Sequence, residues 1–183
     1  GDKKYTAKNI IIATGSDVAS LPNITIDEKQ IVSSEGALKL PKVPKSLVVI
    51  GGGVIGLEMG AVWSRLGAKV TVIEYLDRLL PGMDKDCAKE LQKITEKKGI
   101  DFKLSTKVTN AKTDKNGVTL EMEPAAGGKA ETLKADVVLV AVGRKPYTEG
   151  LGLEEVGVET DNRGRIKTGD VFDTNIDGIY AIG

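Results

Sequence analysis

Between Leu47 and Glu74 the chain runs through an order of residue types that few folds accept. Leu47–Ile50 is a short apolar run. It leads straight into Gly51-Gly52-Gly53-Val54-Ile55-Gly56, a G-x-G-x-x-G. Residues 54–66 read as a helix that ends before Gly67, and Lys69–Glu74 (KVTVIE) is a second β-branched run that closes on an acid. Short β-branched runs favour buried strands over helices. The stretch therefore reads as strand, glycine turn, helix, strand. Strands that alternate with helices in this way belong to a parallel, helix-covered sheet.

The rest of the chain fits around that unit. Residues 9–14 (NIIIAT), closed by Gly15, predict a buried strand. Residues 17–45 are punctuated by Pro22, Pro41 and Pro44, which predicts a loop-rich connection with one helix near Ser34–Leu40. Asp84 is placed to cap a helix that carries Cys87, Ala88, Leu91 and Ile94 at helical spacing, with Gly99 as its left-handed stop. After Gly99 the texture changes. Residues 101–113, 117–123 and 130–134 alternate apolar and polar, with turn signals at Asn116-Gly117 and Ala125–Lys129. Asp136–Val142 returns as a buried strand. Residues 143–178 are rich in glycine and charge with one short strand near Ile166, and residues 179–182 form a last apolar strand. The fold expected is α/β: a Rossmann-like parallel sheet with helices and an inserted antiparallel β-meander.

Composition removes several kinds of function. Lys+Arg and Asp+Glu number 26 each, so the net charge is zero and no basic stripe appears. That argues against nucleic acid or a membrane surface as partner. No apolar run approaches the roughly 20 residues of a membrane span, and no signal peptide is visible. There is one cysteine, Cys87, and no histidine. No internal disulfide is possible and no metal-ligand spacing exists. Little of the chemistry this chain serves can be done by its own side chains. Cys87 reads as a small core residue, and Trp63 as packing on its helix.

The glycine pattern has a specific physical content. Gly51 allows the tight turn, Gly53 lets backbone approach a pyrophosphate, and Gly56 with Gly60 permits close helix–strand packing. The unpaired N–H groups at the N-terminus of the following helix, together with its dipole, suit a negative charge. Glu74 stands 23 positions after Gly51, near the spacing at which an acid accepts from an adenosine ribose. The bland alternative is a glycine-rich turn beside a surface glutamate. The pattern does not distinguish NAD from FAD.

Several strings together resemble the two-dinucleotide-fold flavoprotein disulfide reductases, and most closely the dihydrolipoyl dehydrogenases of mitochondrial or related bacterial type. They are NIIIATGS (9–16), IVSSEGAL (31–38), VVIGGGVIGLEMGAVWSRLGAKVTVIE (48–74), STKVTNA (105–111), VGRKPYTEGLGLEE (142–155), NRGRI (162–166) and IYAIG (179–183). In that family the NAD domain is inserted into an FAD domain. The resemblance implies a crossover remnant and linker over residues 1–42, a NAD-binding domain over 43–146, and a return over 147–183. It implies that Gly51 to Gly56 hold the NAD pyrophosphate and that Glu74 holds the adenosine ribose. Val108 would lie by the adenine through its backbone, Glu58 near the nicotinamide and its ribose, and Gly143 close to NAD. Thr14, Gly15 and Ser16 would touch FAD. Glu58 can also be an ordinary exposed charge, Val108 a strand core residue, and Arg144 and Lys145 solvated turn charges.

By the same resemblance the parent would pass electrons from dihydrolipoamide to a disulfide, then to FAD, then as hydride to NAD. It would be a homodimer acting with 2-oxo-acid dehydrogenase complexes, in a bacterial cytoplasm or the mitochondrial matrix. The first FAD fingerprint, the paired cysteines and the His–Glu dyad of the family have no counterpart here. The chain, which runs from Gly1 to Gly183, thus reads as an excised NAD-binding piece, inactive alone. Two other readings stay open: the NAD domain of a glutathione-reductase-, mercuric-reductase- or NADH-oxidase-like flavoenzyme, and a stand-alone nucleotide-binding module without catalysis.

Overall fold

The computed structural model describes residues 3–182. Gly1 and Asp2 of the first expected segment, and Gly183 of the last matching string, lie outside the described residues. The chain opens with β1 (Ile10–Ile12), β2 (Ser16–Val18), β3 (Ile31–Val32), α1 (Ser34–Leu38) and β4 (Ser46–Ile50). Next come α2 (Val54–Arg65), β5 (Lys69–Ile73), α3 (Lys85–Lys97), β6 (Ile100–Lys103), β7 (Thr106–Asp114) and β8 (Gly117–Pro124). It ends with β9 (Glu131–Ala135), β10 (Val137–Val140), β11 (Arg144–Pro146), α4 (Leu153–Val156) and β12 (Ile179–Ala181). Two compact units result. One is Ala19–Gly143; the other combines the residues up to Val18 with those from Arg144 on.

The larger unit is built on a five-stranded parallel sheet in the order β3-β10-β4-β5-β6. β4 and β5 lie side by side from Ser46↔Lys69 to Ile50↔Ile73. α2 is the crossover between them, as a parallel pair requires. Successive strand side chains point to opposite faces, and the apolar runs divide accordingly. Leu47, Val49, Val70, Val72, Val137 and Leu139 face one core with Leu57 and Trp63 of α2. Val48, Ile50, Ile73, Val138 and Val140 face the other. The second core is closed by Val118, Leu120 and Met122 of β8, in the three-stranded meander β7-β8-β9. Helices cover one face and the meander covers the other, so the expected helix-covered sheet is helix-covered on one side.

Several boundaries differ from expectation for identifiable reasons. Residues 101–103 belong to parallel β6, not to the meander; Ser105, at φ 49°, turns the chain before β7 starts. Alternation marks a half-buried strand but carries no information on its partner's direction. The hairpin between β7 and β8 turns at Lys115 and Asn116, because Asp114 and Gly117 still pair. Asp114 Oδ1 accepts from Asn116 N at 2.6 Å and closes that turn.

α3 is capped as expected: Asp84 Oδ1 accepts from Asp86 N at 2.9 Å and Cys87 N at 3.1 Å. The stripe it buries is half the one expected: Ala88 is buried and Leu91 partly so, as expected, and Thr95 is buried with them, while Cys87 is exposed and Ile94 is 42% exposed. Cys87 is therefore not a core residue. Thr95 can be buried because its hydroxyl donates within the helix, 2.8 Å from the Leu91 carbonyl and 2.9 Å from that of Gln92.

In the smaller unit β1 pairs in parallel with β12, and β2 pairs antiparallel with β11. The strand expected at 9–14 forms, but it is not buried: Ile10 and Ile11 are 52% and 65% exposed. A two-stranded ribbon covers little of its own surface, and of the paired residues Ala181 alone is buried. Arg144 and Lys145, expected in a turn, lie in β11. The short strand expected near Ile166 is a single bridge to Thr160.

Candidate functional site

The glycine turn begins where β4 ends. Gly51 has φ +113°, and a Cβ there would overlap the carbonyl oxygen of Ala141, just past β10. Both constraints leave only glycine. Gly51 N donates to Ile73 O at 2.8 Å, and Gly52 O accepts from Leu80 N at 3.0 Å, so the turn is pinned on two sides. At Gly56 a Cβ would overlap the Gly51 carbonyl oxygen and lie 3.0 Å from Val49 Cγ1. This is the close packing of α2 on its strand. Gly53 differs from both. It is the N-cap of α2 with extended backbone, and a Cβ there would meet nothing within 4 Å. Nothing inside the protein demands glycine at that position. A side chain there would project into the open space before α2, which Val54 (55% exposed) and Ile55 begin and whose first-turn N–H groups have no partner within the helix.

Glu74 sits one residue beyond β5 and its carboxylate is held by backbone. Oε2 accepts from Gly52 N at 2.6 Å, and Oε1 accepts from Leu76 N at 2.9 Å. A carboxylate has about four acceptor positions, so the two bonds fix its orientation and leave others for a ligand hydroxyl. Arg78, the nearest cation along the chain, donates to the carbonyls of Pro81 and Met83 in its own turn.

A cleft of about 490 Å³ opens beyond the ends of β4 and β5, lined in part by Ile50, Gly51, Ile73, Glu74, Val108 and Val142. β4 stands between β10 and β5, and the chain leaves it in one direction and returns on the other side. This is the switch point at which open α/β sheets take ligands. Val108 lines the cleft and also packs on the second core. Gly143, exposed at φ +140°, follows the lining residue Val142. Glu58 is exposed on α2 and does not line the cleft. The sequence reading missed Leu21, Pro22, Asn23 and Tyr75, which also line it. The Pro-Asn dipeptide was a visible turn signal; its position beside the fingerprint was not.

Thr14, Gly15 and Ser16 lie in the smaller unit, where they line a separate cleft of about 410 Å³ with Arg144, Arg165 and Phe172. Thr14 Oγ1 donates to Tyr147 O at 2.6 Å, and Arg144 Nε donates to Ser16 Oγ at 2.6 Å.

The ionisable residues that line the larger cleft are Glu74, Tyr75 and Lys107. Among the described residues no group of three or more His, Cys, Asp or Glu is arranged to hold a metal, and no helix is long and apolar enough to cross a membrane. The cleft offers a carboxylate held by backbone N–H groups and apolar walls from Ile50, Ile73, Val108 and Val142; Gly51 lines it, whereas Gly52 to Gly56 do not.

A parallel sheet with a glycine turn at its switch point and an acid just past the end of the next strand defines a Rossmann-type α/β unit. This chain belongs to the pyridine nucleotide-disulphide oxidoreductase family, whose pattern matches residues 1–183. It is 59% identical to dihydrolipoyl dehydrogenase 3 of Pseudomonas putida, over 97% of this chain and 38% of that protein. It is 56% identical to the dihydrolipoamide dehydrogenase of Chaetomium thermophilum, over 100% of this chain and 36% of that protein. A solved relative is the Cu(II) complex of the HOCl-induced flavoprotein disulfide reductase RclA from Escherichia coli. It superposes with a TM-score of 0.86 at 30% identity, covering 96% of this chain and 39% of that one. The chain spans little more than a third of the length of the relatives it matches.

Proposed function

We propose that this chain is the NAD-binding segment of a dihydrolipoyl dehydrogenase. Residues 43–146 are the NAD domain in this reading, and residues 1–42 and 147–183 connect it to an FAD domain. The observation that carries the proposal is Gly53, the N-cap of α2, where a Cβ would stand in open space and meet no atom of the protein within 4 Å. A pyrophosphate fits there, against the N–H groups that follow Gly52 and Gly53. Glu74, already oriented by Gly52 and Leu76, accepts from the ribose hydroxyls. Val108 borders the adenine, Glu58 and Gly143 serve the nicotinamide side, and Thr14, Gly15 and Ser16 touch the FAD. Bound NAD supplies the hydride acceptor; the residues of this chain bind and orient it. The parent is a homodimer that serves 2-oxo-acid dehydrogenase complexes, in a bacterial cytoplasm or the mitochondrial matrix.

The test is a chimaera in which this chain replaces the matching segment of the Pseudomonas putida dihydrolipoyl dehydrogenase. The chimaera is expected to hold flavin and to reduce NAD with dihydrolipoamide. The 183-residue chain alone, with one cysteine and no histidine, is expected to turn over no dihydrolipoamide. A chimaera whose flavin is reduced by dihydrolipoamide but which passes nothing to NAD contradicts the proposal.

A further inference from the structure

The cleft beside Glu74 has a wall that the sheet does not supply. Leu21–Ile24 is a β-turn, closed by Ile24 N donating to Leu21 O at 3.3 Å, with Pro22 and Asn23 at its corners. Asn23 has φ +62°. Proline at the first corner and a positive φ at the second is the type II pattern. The turn is fastened at both ends. Before it, Ala19 N donates to Gly143 O at 3.0 Å. After it, Ile24 is 4% exposed in the core under the meander, and Leu21 packs partly on the same core. Between the two anchors Leu21, Pro22 and Asn23 face the space bounded by Gly51, Glu74 and Val108. They precede the glycine turn by about thirty residues and belong to none of the strands or helices.

We propose that the Leu21–Asn23 turn is the outer wall of the adenine subsite, and that it contributes to affinity for the adenosine half of the dinucleotide. This rests on the nucleotide reading above and adds residues to it. A carboxylate at Glu74 that takes the ribose leaves the attached base in the apolar end of the cleft. Val108 and Leu21 are both among the aliphatic side chains that line it. Asn23 brings an amide with donor and acceptor capacity to the rim. A turn tied to Gly143 and to the core cannot swing aside, so the slot is set before the ligand arrives, which lowers the ordering cost of binding.

The probe is ADP-ribose, which carries the adenosine and the pyrophosphate without the nicotinamide. It is titrated calorimetrically into the wild-type chain and into Leu21→Ala, Leu21→Trp and Asn23→Gly, with a thermal melt for each. Leu21→Ala is expected to weaken binding roughly tenfold, because the base then buries less apolar surface against the turn. Leu21→Trp should block the slot and abolish measurable binding while the melt persists. Asn23→Gly keeps the positive φ, so its turn survives, and it should weaken binding about two- to tenfold because the rim then offers one hydrogen-bonding group fewer. Unchanged ADP-ribose affinity in the variants that melt like wild type overturns the wall. If Leu21→Ala and Leu21→Trp lose their cooperative melt, Asn23→Gly decides alone. A wild-type chain that binds no ADP-ribose overturns the nucleotide reading itself and the wall with it.

Discussion

Three glycines of one turn owe their identity to three different causes, and the difference is measurable. Gly51 is fixed by a positive φ and the Ala141 carbonyl, and Gly56 by the Gly51 carbonyl. Gly53 is surrounded by open space at an ordinary extended φ of −79°. Alanine at 51 or 56 must push backbone aside, at a cost of roughly 1–3 kcal/mol. Alanine at 53 meets no atom and is expected to cost at most about 1 kcal/mol, as a poorer N-cap. On the proposed reading its methyl group nevertheless stands where a pyrophosphate would lie. Melting curves and NADH titrations should therefore separate the variants: Gly51→Ala loses stability, whereas Gly53→Ala keeps its fold and loses nucleotide affinity. Equal NADH affinity in Gly53→Ala and wild type would mean that the open mouth of α2 is not used.

At the scale of elements, α3 shows how a local signal can be read and its tertiary consequence missed. The Asp84 carboxylate is kept below the ordinary aspartate value by the Cys87 and Asp86 N–H groups that donate to it. A pKa lowered on folding stabilises the helix above the unfolded value and ceases to do so as pH falls through the folded value. The protection of the first-turn amides of α3, measured as the exchange rate relative to an unstructured chain at the same pH, is thus expected to fall below about pH 4. In Asp84→Asn, where the acceptor no longer titrates, it should stay level; equal acid sensitivity in both would contradict the capping role. The cap and the Gly99 stop were legible because each depends on its own few residues. Which stripe faces the sheet was not. Of the expected Cys87, Ala88, Leu91 and Ile94, only Ala88 and Leu91 turn inward, joined by Thr95, because that choice rests on what packs opposite. β6 was misplaced for a related reason, since its alternation says nothing of the parallel β5 beside it. β3 has two residues and β2 is polar and exposed, so neither had a pattern to read.

Over the whole molecule, the parts of the candidate site that were legible are those carried by one continuous stretch: the glycine turn, α2 and Glu74. The Leu21–Asn23 wall was not legible, because it reaches the cleft from a segment distant in sequence. All the residues that line this cleft lie within the single unit Ala19–Gly143. The binding of NAD is therefore a property this unit should display without the rest of a flavoenzyme. On the proposed reading, cofactor choice follows from the Glu74 carboxylate, fixed 2.6 Å from Gly52 N. A 2′-phosphate at the ribose would meet that charge directly. Arg78 offers no rescue, since its guanidinium donates to the carbonyls of Pro81 and Met83. Like charges so placed cost several kcal/mol at an interface, and about 1.4 kcal/mol is already tenfold. The most direct measurement is calorimetric titration of the chain and of Glu74→Ala with NADH and NADPH. The wild-type chain should bind NADH more tightly by roughly tenfold or more, and Glu74→Ala should lose that preference; wild-type binding of NADPH as tight as NADH, or of neither, would contradict the account.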